Sequence, residues 1–338
     1  MTLTIIIPVY NVLPYLRKCL DSVLAAVSKA LDSRSENLFE VICVDDGATD
    51  GSSSVLDEYS DKLMRNSSLP NLTFQVIHQK NGGVSVARNI AIDNATGEWL
   101  HFIDADDWIG EDLYEKLFKE LSLNSDADAV AFAATKMDES GNVHKILCGD
   151  ARMANMTGDA LLGDPQYLSF SGCIWNKIYR REIVNREKLR FLVGMQPAED
   201  DLFNILYLTY ASKVVVVPMI SDYFYRATPG SSVHTMNVKK LIFQVDEFEG
   251  LYERWCAVRT IGLTAIIVIV AKRLVCLGAQ TGIRQECIDF LVDSEIFKRK
   301  VLPFLVRFGD FQSKLFAMIY LLIPIRELRR RILQLAAR

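Results

Sequence analysis

Apolar and polar positions along the first part of the chain alternate in blocks that predict strands and helices in turn. Short apolar runs predict strands over residues 3–9, 39–44, 72–78, 99–103 and 129–133. Between them, apolar residues recur at helical spacing, which predicts helices from Pro14 onward and over residues 53–63, 84–94 and 112–121. Such alternation is typical of an α/β domain with a largely parallel sheet.

The rest of the chain has a different pattern. Residues 135–165 contain several glycines and mixed polarity, which predicts a connection over the surface. A helix is predicted over residues 199–211, and short strands are predicted over residues 214–217 and 222–226. After Ser232 the pattern becomes almost wholly helical.

Length and composition fit one large domain with an appendage. The chain has 338 residues, and half of them are apolar, so it can bury a sizeable core. We predict a first domain over residues 1–235, with one half at 1–110 and the other at 111–235. A helical C-terminal region over residues 236–338 completes the chain.

The distribution of charge is most informative at the C-terminus. The net charge of −4 is small for this length, so we expect no nucleic-acid partner. From Arg284 onward the chain is basic, and an apolar stretch over residues 315–325 precedes Arg326 and the Arg329–Arg331 cluster. That stretch is too short to span a membrane. It suits either peripheral contact with an anionic membrane or docking on its own domain or a second subunit, so an oligomer is possible.

Cysteine usage and the N-terminus bear on location. Seven cysteines form no CxxC pair and no zinc-like cluster, and an odd number does not fit a fully paired disulfide framework. The run at residues 3–9 lacks the features of a signal peptide. We therefore expect a cytoplasmic protein, with contact at the inner face of the cytoplasmic membrane as the variant that the basic C-terminus allows.

Polar residues that follow the first two predicted strands are the first candidates for a site. Ligands of open α/β sheets bind beyond the carboxyl ends of the strands. Pro8-Val9-Tyr10-Asn11 follows the first strand, and Asp45-Asp46-Gly47 follows the second. Asp45 can accept a hydrogen bond from the N–H of a nucleobase. For Asp50, Gly51 and Ser52 we expect a turn that caps the next helix.

Three carboxylates within four residues follow the fourth predicted strand, in Asp104-Ala105-Asp106-Asp107. Like charges this close raise each other's pKa values and cost stability unless they share a cation. Mg²⁺ and Mn²⁺ prefer oxygen ligands and keep waters and substrate phosphates, so two carboxylates are enough protein ligands. We expect Asp106 to bind the metal, with Asp104 beside it on ribose or metal. Asp107 and Glu111 are expected in the acidic first turn of the next helix.

These segments resemble the donor site of the family-two glycosyltransferases of the GT-A fold, of bacterial surface-polysaccharide type. The resemblance lies in four motifs that occur in the same order: Pro8-Val9-Tyr10-Asn11, Asp45-Asp46-Gly47, Asn81-Gly82-Gly83 running into Ala87-Arg88-Asn89, and Asp104-Ala105-Asp106. It implies a Rossmann-like, mostly parallel sheet flanked by helices. The helical C-terminal appendage lies beyond the resemblance.

The resemblance also implies roles for these residues. The expected donor-binding residues are Pro8, Val9, Tyr10, Asp45, Asp46, Gly83, Arg88, Asp104, Ala105 and Asp106. Val9 and Asp45 would contact the nucleobase, usually uracil. Asp104 and Asp106 would hold ribose, Mn²⁺ or Mg²⁺, and diphosphate. Arg88 would lie near the donor, or else be a solvated helical arginine with its stem on the sheet.

A catalytic segment is implied by Ala198-Glu199-Asp200-Asp201, which is similar to the family's Gly-Glu-Asp segment. The match makes Asp200 the catalytic base and Glu199 a residue that orients the acceptor or the base. The chain departs from the pattern at Ala198 and in the additional Asp201. An inverting displacement needs a base for the acceptor proton, and a metal can act as Lewis acid for the leaving diphosphate.

Two further segments match the family less specifically. Trp175, in Trp175-Asn176-Lys177, would stack on a sugar face or pack in the core. Arg226 and His234 would close over the diphosphate as a loop orders, with His234 as donor or additional metal ligand, or as a surface-loop residue.

The function implied by the resemblance is an inverting, metal-dependent transfer of a hexosyl or N-acetylhexosaminyl group. The donor would be a nucleotide-diphosphate sugar, usually a UDP-sugar, and the acceptor a hydroxyl of a sugar or lipid-linked sugar in cell-surface polysaccharide biosynthesis. A nucleotidyltransferase is disfavoured because no Gly-rich basic loop follows the first strand, and a dehydrogenase because G-x-G-x-x-G is missing there. The alternative from another class is a non-catalytic nucleotide-sugar-binding or membrane-scaffolding protein with the same fold, against which Asp106 and Asp200 argue.

Overall fold

The computed structural model describes residues 1–34, 36–65, 69–137, 143–147, 155–163, 173–194 and 199–226. The chain divides into two compact units. The first comprises residues 1–161, 169–194 and 199–229, and the second comprises residues 162–168, 195–198 and 230–338. Nearly all described residues belong to the first unit. His234 and the predicted C-terminal helices lie outside the described residues, and the domain boundary near residue 235 stays a prediction.

Twelve strands occur in the described residues. In chain order they are β1 (Thr2–Val9), β2 (Leu38–Asp45), β3 (Leu72–His78), β4 (Trp99–Phe102), β5 (Trp108–Ile109), β6 (Ala129–Phe132), β7 (Ala134–Met137), β8 (Val143–Leu147), β9 (Asn155–Met156), β10 (Lys177–Arg180), β11 (Val214–Val217) and β12 (Tyr223–Arg226). The five strands predicted in the first part of the chain are confirmed, as are the two predicted after residue 211. Strands β5 and β10 were not predicted.

Seven helices occur in the same residues. They are α1 (Leu13–Ser33), α2 (Ser52–Arg65), α3 (Val84–Asn94), α4 (Leu113–Leu123), α5 (Gly158–Gly163), α6 (Arg181–Arg186) and α7 (Glu199–Tyr210). In α1, a proline in the first turn needs no N–H partner, and apolar residues at helical spacing form the buried face. None of the described helices has both the length and the apolar character that crossing a membrane requires.

The main sheet has eight strands in the order β3-β2-β1-β4-β10-β6-β11-β9. The first four strands of that order are parallel, and their register aligns Val9 with Asp45 and Asp45 with His78. Phe102, the last residue of β4, pairs with Ile6 of β1. The polar residues that follow β1, β2, β3 and β4 therefore lie along one edge of the sheet, as expected for a ligand site in this architecture.

A close backbone approach supports the pairing of β1 with β4. A Cβ atom at Gly97, two residues before β4, would lie 2.6 Å from the backbone nitrogen of Thr4. The Gly97 N–H donates to the hydroxyl of Thr4 at 2.9 Å. Only glycine permits this contact, so residue 97 is constrained by the sheet itself.

A second sheet has the order β5-β12-β7-β8, and two of its strands, β7 and β8, lie in the segment that was predicted as a surface connection. That prediction is wrong in part, because β7, β8, β9 and α5 occur within it. These elements are short and of mixed polarity, so periodicity did not reveal them. The second sheet matters for the site because β12 pairs with β5, directly after the Asp104–Asp107 turn.

Candidate active site

Asp45 ends β2 and is almost fully buried. Its Oδ1 accepts the N–H of Ala48 at 2.9 Å, while Oδ2 accepts the hydroxyl of Ser53 at 2.6 Å and lies 2.8 Å from Nδ1 of His78. Burial opposes ionisation of Asp45, but these hydrogen bonds outweigh it and lower the pKa of the carboxyl group. Asp45 is thus a fixed carboxylate at the ligand edge.

His78 was missed by sequence reasoning. Its position offered a signal, because it is the last residue of β3 and pairs in register with Asp45. The helix-capping prediction for the same region is confirmed: Asp50 accepts from the N–H groups of Ser52 and Leu13, at the starts of α2 and α1.

The residues after β1 differ in exposure. The side chain of Val9 is fully buried, so it can reach a ligand only through its main chain, and its carbonyl already accepts the N–H of Asp46 at 2.9 Å. Pro8 is half-buried, and Tyr10 is 48% exposed. Asn11 accepts the N–H of Thr49 at 2.8 Å, which ties the β1 turn to the β2 turn.

Asp46 shapes the glycine loop that precedes α3. Its carboxylate accepts from the side chain of Gln79 at 2.5 Å and from the N–H groups of Gly82 and Gly83 at 2.7 and 2.8 Å. Gly83 has a φ of 89°, which suits glycine at the start of the helix. We therefore attribute to Asp46 the positioning of this loop.

Arg88 lies at the centre of the site. It is 3% exposed, so the interpretation as a solvated helical arginine is wrong, because the inner face of α3 carries it into the protein. Its Nη2 donates to Asp104 at 3.0 Å. Its Nη1 donates to Asp200 at 2.7 Å and to Glu199 at 3.2 Å. One guanidinium thus joins a carboxylate after β4 to two carboxylates at the start of α7.

The pKa shifts of Arg88 and Glu199 are consistent with these ion pairs. Burial disfavours the charged form of Arg88, but Asp200, Asp104 and Glu199 outweigh it and raise the pKa of the guanidinium. Burial also raises the pKa of Glu199, although the charge of Arg88 opposes that effect. A single cation among three carboxylates leaves the cluster acidic overall, which suits a site for a further cation.

The three carboxylates of the Asp104–Asp107 turn have different surroundings. Asp104 pairs with Arg88, and Ala105 is buried. Asp107 is buried and accepts from the hydroxyl of Tyr223 and the N–H of Arg226, both at 2.7 Å. In the part of the chain that the structure describes, the half-buried carboxylate of Asp106 receives no hydrogen bond from another residue. Burial and the neighbouring Asp104 raise the pKa of Asp106 to about 6.

The prediction for Asp107 is therefore wrong. It does not lie in the first turn of α4, which begins at Leu113, but ties the turn to β12. Glu111 pairs with Lys29 at 2.9 Å. Asp104, Asp106 and Asp107 lie within four residues of one another, but the turn directs Asp107 into the core.

A divalent metal fits the remaining carboxylates. Among the described residues, no cluster of three or more Asp, Glu, His or Cys side chains forms a protein-only metal cage. Mg²⁺ and Mn²⁺ do not need one, because one or two carboxylates with waters and substrate phosphates satisfy them. Asp106, whose carboxylate receives no hydrogen bond from another of the described residues, and the neighbouring Asp104 are suitable ligands.

Trp175 lies in the core behind the turn. It is 4% exposed and stacks on Tyr223 and Tyr225, with ring centroids 4.6 and 5.5 Å apart. Of the two alternatives, burial favours core packing over stacking on a sugar. The carbonyl of Trp175 lies 2.9 Å from Nε2 of the buried His101, whose pKa burial lowers to about 4, so His101 is neutral.

Arg226 ends β12 against the same turn. Its Nε donates to the carbonyl of Asp106 at 2.8 Å. Its guanidinium carbon lies 4.6 Å from the ring centroid of Tyr15 and 4.8 Å from that of Trp108. Arg226 therefore adds positive charge beside the Asp104–Asp106 pair.

Comparison with known proteins assigns this arrangement to a family. The sequence model described as "Glycosyl transferase family 2" matches residues 4–187, which is more than half of the 338 residues. The chain belongs to glycosyl transferase family 2. The resemblance that the motifs had suggested is confirmed.

Curated members of the family cover a similar part of the chain. The glycosyltransferase EpsJ of Bacillus subtilis (strain 168) is 30% identical over 231 residues, which is 68% of this chain and 62% of EpsJ. The glycosyltransferase GlyA of Streptococcus pneumoniae serotype 4 is 32% identical over 236 residues, which is 68% of this chain and 31% of GlyA. The matched region thus spans less than two thirds of the length of either relative.

Solved structures of the family show the same fold. TarS of Staphylococcus aureus, residues 1–349 in complex with UDP-GlcNAc, matches with a TM-score of 0.61 at 19% identity, covering 100% of this chain and 89% of that chain. The sequence of TarS, a poly(ribitol-phosphate) β-N-acetylglucosaminyltransferase, is 27% identical over 249 residues, which is 69% of this chain and 37% of TarS. The fold of this family-two chain is GT-A, with a large central sheet flanked by helices.

Proposed function

We propose that this member of glycosyl transferase family 2 moves a sugar from a UDP-sugar donor to an acceptor hydroxyl, with inversion at the anomeric carbon. The observation that carries the proposal is the placement of Arg88, whose guanidinium is within 3.2 Å of Asp104, Glu199 and Asp200. Asp104, on the proposed donor side, and Asp200, the proposed base, both pair with Arg88. One sugar can therefore lie within reach of both sides of the site.

The donor is proposed on two grounds. Asp45 offers a buried carboxylate at the ligand edge of the sheet, where the N–H of a nucleobase can donate to it. The fold neighbour TarS has been solved with UDP-GlcNAc and with UDP, which supports a UDP-sugar with a hexosyl or N-acetylhexosaminyl group. The names of relatives such as TarS support a role in cell-surface polysaccharide synthesis.

The chemistry is a single displacement in which Asp200 acts as base. The acceptor oxygen forms a bond to the anomeric carbon while the bond between that carbon and the diphosphate oxygen breaks. The electron pair of the broken bond leaves with the diphosphate. The hydroxyl proton passes to Asp200. Arg88 fixes the orientation of Asp200 through the 2.7 Å hydrogen bond, and Glu199 shares that guanidinium.

Asp106 and Asp104 are proposed to hold Mn²⁺ or Mg²⁺. When bound, such an ion supplies charge neutralisation for the departing diphosphate without a proton. The mannosyltransferase PcManGT of Pyrobaculum calidifontis, a fold neighbour with a TM-score of 0.50 and 17% identity, was solved with GDP-Man and Mn²⁺. Arg226 adds a second positive group beside the turn.

Thermal unfolding with and without ligands tests the donor and the metal together. UDP-GlcNAc and UDP-glucose with Mn²⁺ should raise the melting temperature of the full chain, since a ligand at about 100 times its Kd adds about 2.7 kcal/mol. Asp106→Asn should remove the Mn²⁺-dependent part of that rise. Asp112→Asn, a change at an exposed acid of the same stretch, should leave it intact.

The outcome that contradicts the proposal is equally direct. If no nucleotide sugar stabilises the wild-type chain with either metal, donor binding is wrong. If Asp106→Asn keeps the full Mn²⁺-dependent rise, Asp106 is not the metal ligand.

A further inference from the structure

We propose that His78 is a positioning residue that leaves Asp45 one free hydrogen-bond acceptor position, and thereby selects a nucleobase with a single N–H donor, such as uracil, over guanine. The inference rests on the proposed function, because it assumes that Asp45 receives the base. It adds a role for a residue that sequence reasoning did not single out.

His78 lies between two carboxylates. Its Nδ1 is 2.8 Å from Oδ2 of Asp45, and its Nε2 is 3.0 Å from Oδ1 of Asp57. Carboxylate oxygens only accept hydrogen bonds, so both ring nitrogens carry a proton and the ring is an imidazolium. The hydrogen bond to Asp45 is the main cause of a raised pKa of His78, consistent with that form. Asp57 on α2 thus anchors the ring from its outer side.

The acceptor positions of Asp45 can be counted. Each carboxylate oxygen has two lone pairs. Oδ2 receives the hydroxyl of Ser53 at 2.6 Å and the ring N–H of His78 at 2.8 Å, so both of its lone pairs are used. From the described residues, Oδ1 receives only the N–H of Ala48, at 2.9 Å, which leaves one lone pair. With its side chain 5% exposed and held from three sides, Asp45 cannot rotate to offer more.

The two bases make different demands on this carboxylate. Uracil has one imide N–H between two carbonyl groups, so one free lone pair satisfies it. Guanine presents two adjacent N–H donors, and a carboxylate satisfies both only when each of its oxygens is free to accept. Because Oδ2 is saturated, one guanine donor would be left unpaired, at a cost of about 1–3 kcal/mol. That cost corresponds to a preference of roughly fivefold to 150-fold.

Two substitutions at residue 78 separate this role from a merely structural one. His78→Ala removes both contacts and frees a lone pair on Oδ2. His78→Asn keeps an N–H donor near the position of Nδ1 while losing the contact with Asp57. Because His78 is half exposed, both variants should fold, which thermal unfolding will check.

Isothermal titration with UDP and with GDP, each with Mn²⁺, measures the selectivity of the full chain. We expect the wild type to prefer UDP by about tenfold or more, His78→Ala to reduce that ratio by about tenfold, and His78→Asn to keep it within about threefold. The kcat with saturating UDP-sugar should change by less than about threefold in both variants, with the effect in KM, because His78 acts through Asp45, the residue proposed to bind the base, and not through the proposed catalytic base.

Three results would each contradict a different part of the proposal. A folded His78→Ala variant with the wild-type UDP-to-GDP ratio would overturn the role of His78. A wild type that prefers GDP would overturn the inference and leave a glycosyltransferase with a different donor. A wild type that binds neither nucleotide would overturn the proposed function and this inference together.

Discussion

Arg88 donates hydrogen bonds to carboxylates that come from distant parts of the chain, after β4 and at the start of α7. A buried ion pair that loses one partner leaves an uncompensated charge, which is far more costly than the pair's net contribution. The geometry of this site depends on the planar guanidinium group, because one terminal nitrogen donates to the carboxylate after β4 and the other donates to the two carboxylates of α7.

Arg88→Lys should therefore be damaging although it preserves the charge. An ammonium group at the end of a straight stem cannot reach all three carboxylates, so we expect a loss of about 2–4 kcal/mol in unfolding free energy. We also expect at least a tenfold loss in transfer rate. Urea unfolding and a sugar-transfer assay measure these effects.

The matched control is Arg190→Lys, which changes a 35% exposed arginine paired with the exposed Asp93 at 2.6 Å. Exposed pairs contribute little, so its stability should change by less than about 1 kcal/mol. Equal effects of the two substitutions would contradict the central role of Arg88.

At the residue scale, the sequence predicted which types of residue would lie at the site but not the contacts that each of them makes. The chemistry of paired acids after a buried strand predicts a cation site at Asp104 and Asp106, which stays a prediction. It did not predict the position of Asp107, because burial against Tyr223 depends on β12, more than a hundred residues later. The positioning role of Asp46 depends in the same way on the loop that it contacts.

At the element scale, α3 links the sheet to the catalytic segment. Asn89 donates through its amide to the carbonyl of Phe191 and accepts the N–H of Phe191, both at 2.8 Å. Phe191 in turn stacks on Phe203 of α7, with ring centroids 4.3 Å apart. These contacts link α3 to α7, the helix that begins with Glu199 and Asp200.

Asn89→Asp tests that link. The carboxylate would still accept from the N–H of Phe191 but would face its carbonyl with no proton to donate, so we expect a loss of about 1–3 kcal/mol in unfolding free energy. The transfer rate should fall more than the donor affinity, because the acceptor side is displaced. Urea unfolding and donor titration report these two quantities separately.

Asn94→Asp on the same helix is the control. Asn94 is exposed and its amide donates only within α3, to the carbonyl of Ile90 at 2.8 Å, so its stability should change by less than about 1 kcal/mol. If the substitution at Asn89 is as mild as that at Asn94, α3 does not position the catalytic segment.

Long periodic elements were the ones that the sequence predicted well. The parallel strands and α1 to α4 carry clear apolar patterns and were found within a few residues of their predicted bounds. β10 was not predicted because its residues show no distinctive alternation of apolar and polar positions. It lies between β4 and β6 and pairs with both in antiparallel fashion. Such strands depend on tertiary context rather than on local pattern.

At the scale of the whole first unit, the sheet brings the residues proposed to bind the donor and those proposed to act in catalysis to one edge. The motifs after β1, β2 and β4 follow from parallel strands, whose carboxyl ends meet. The approach of α7 to that edge could not be derived from spacing and was expected only from the family resemblance. Arg88 is the physical reason for it, since α7 supplies two of the carboxylates that neutralise its buried charge.

Asp200→Asn, studied by sugar transfer and donor titration, tests the central claim most directly. Asparagine keeps the shape and can still accept from Arg88, but it cannot take the acceptor proton. We expect a rate loss of about a hundredfold or more, with donor affinity within about threefold of wild type. Asp126→Asn, at an exposed acid, should leave the rate unchanged. An Asp200→Asn variant that transfers sugar at the wild-type rate would contradict the account.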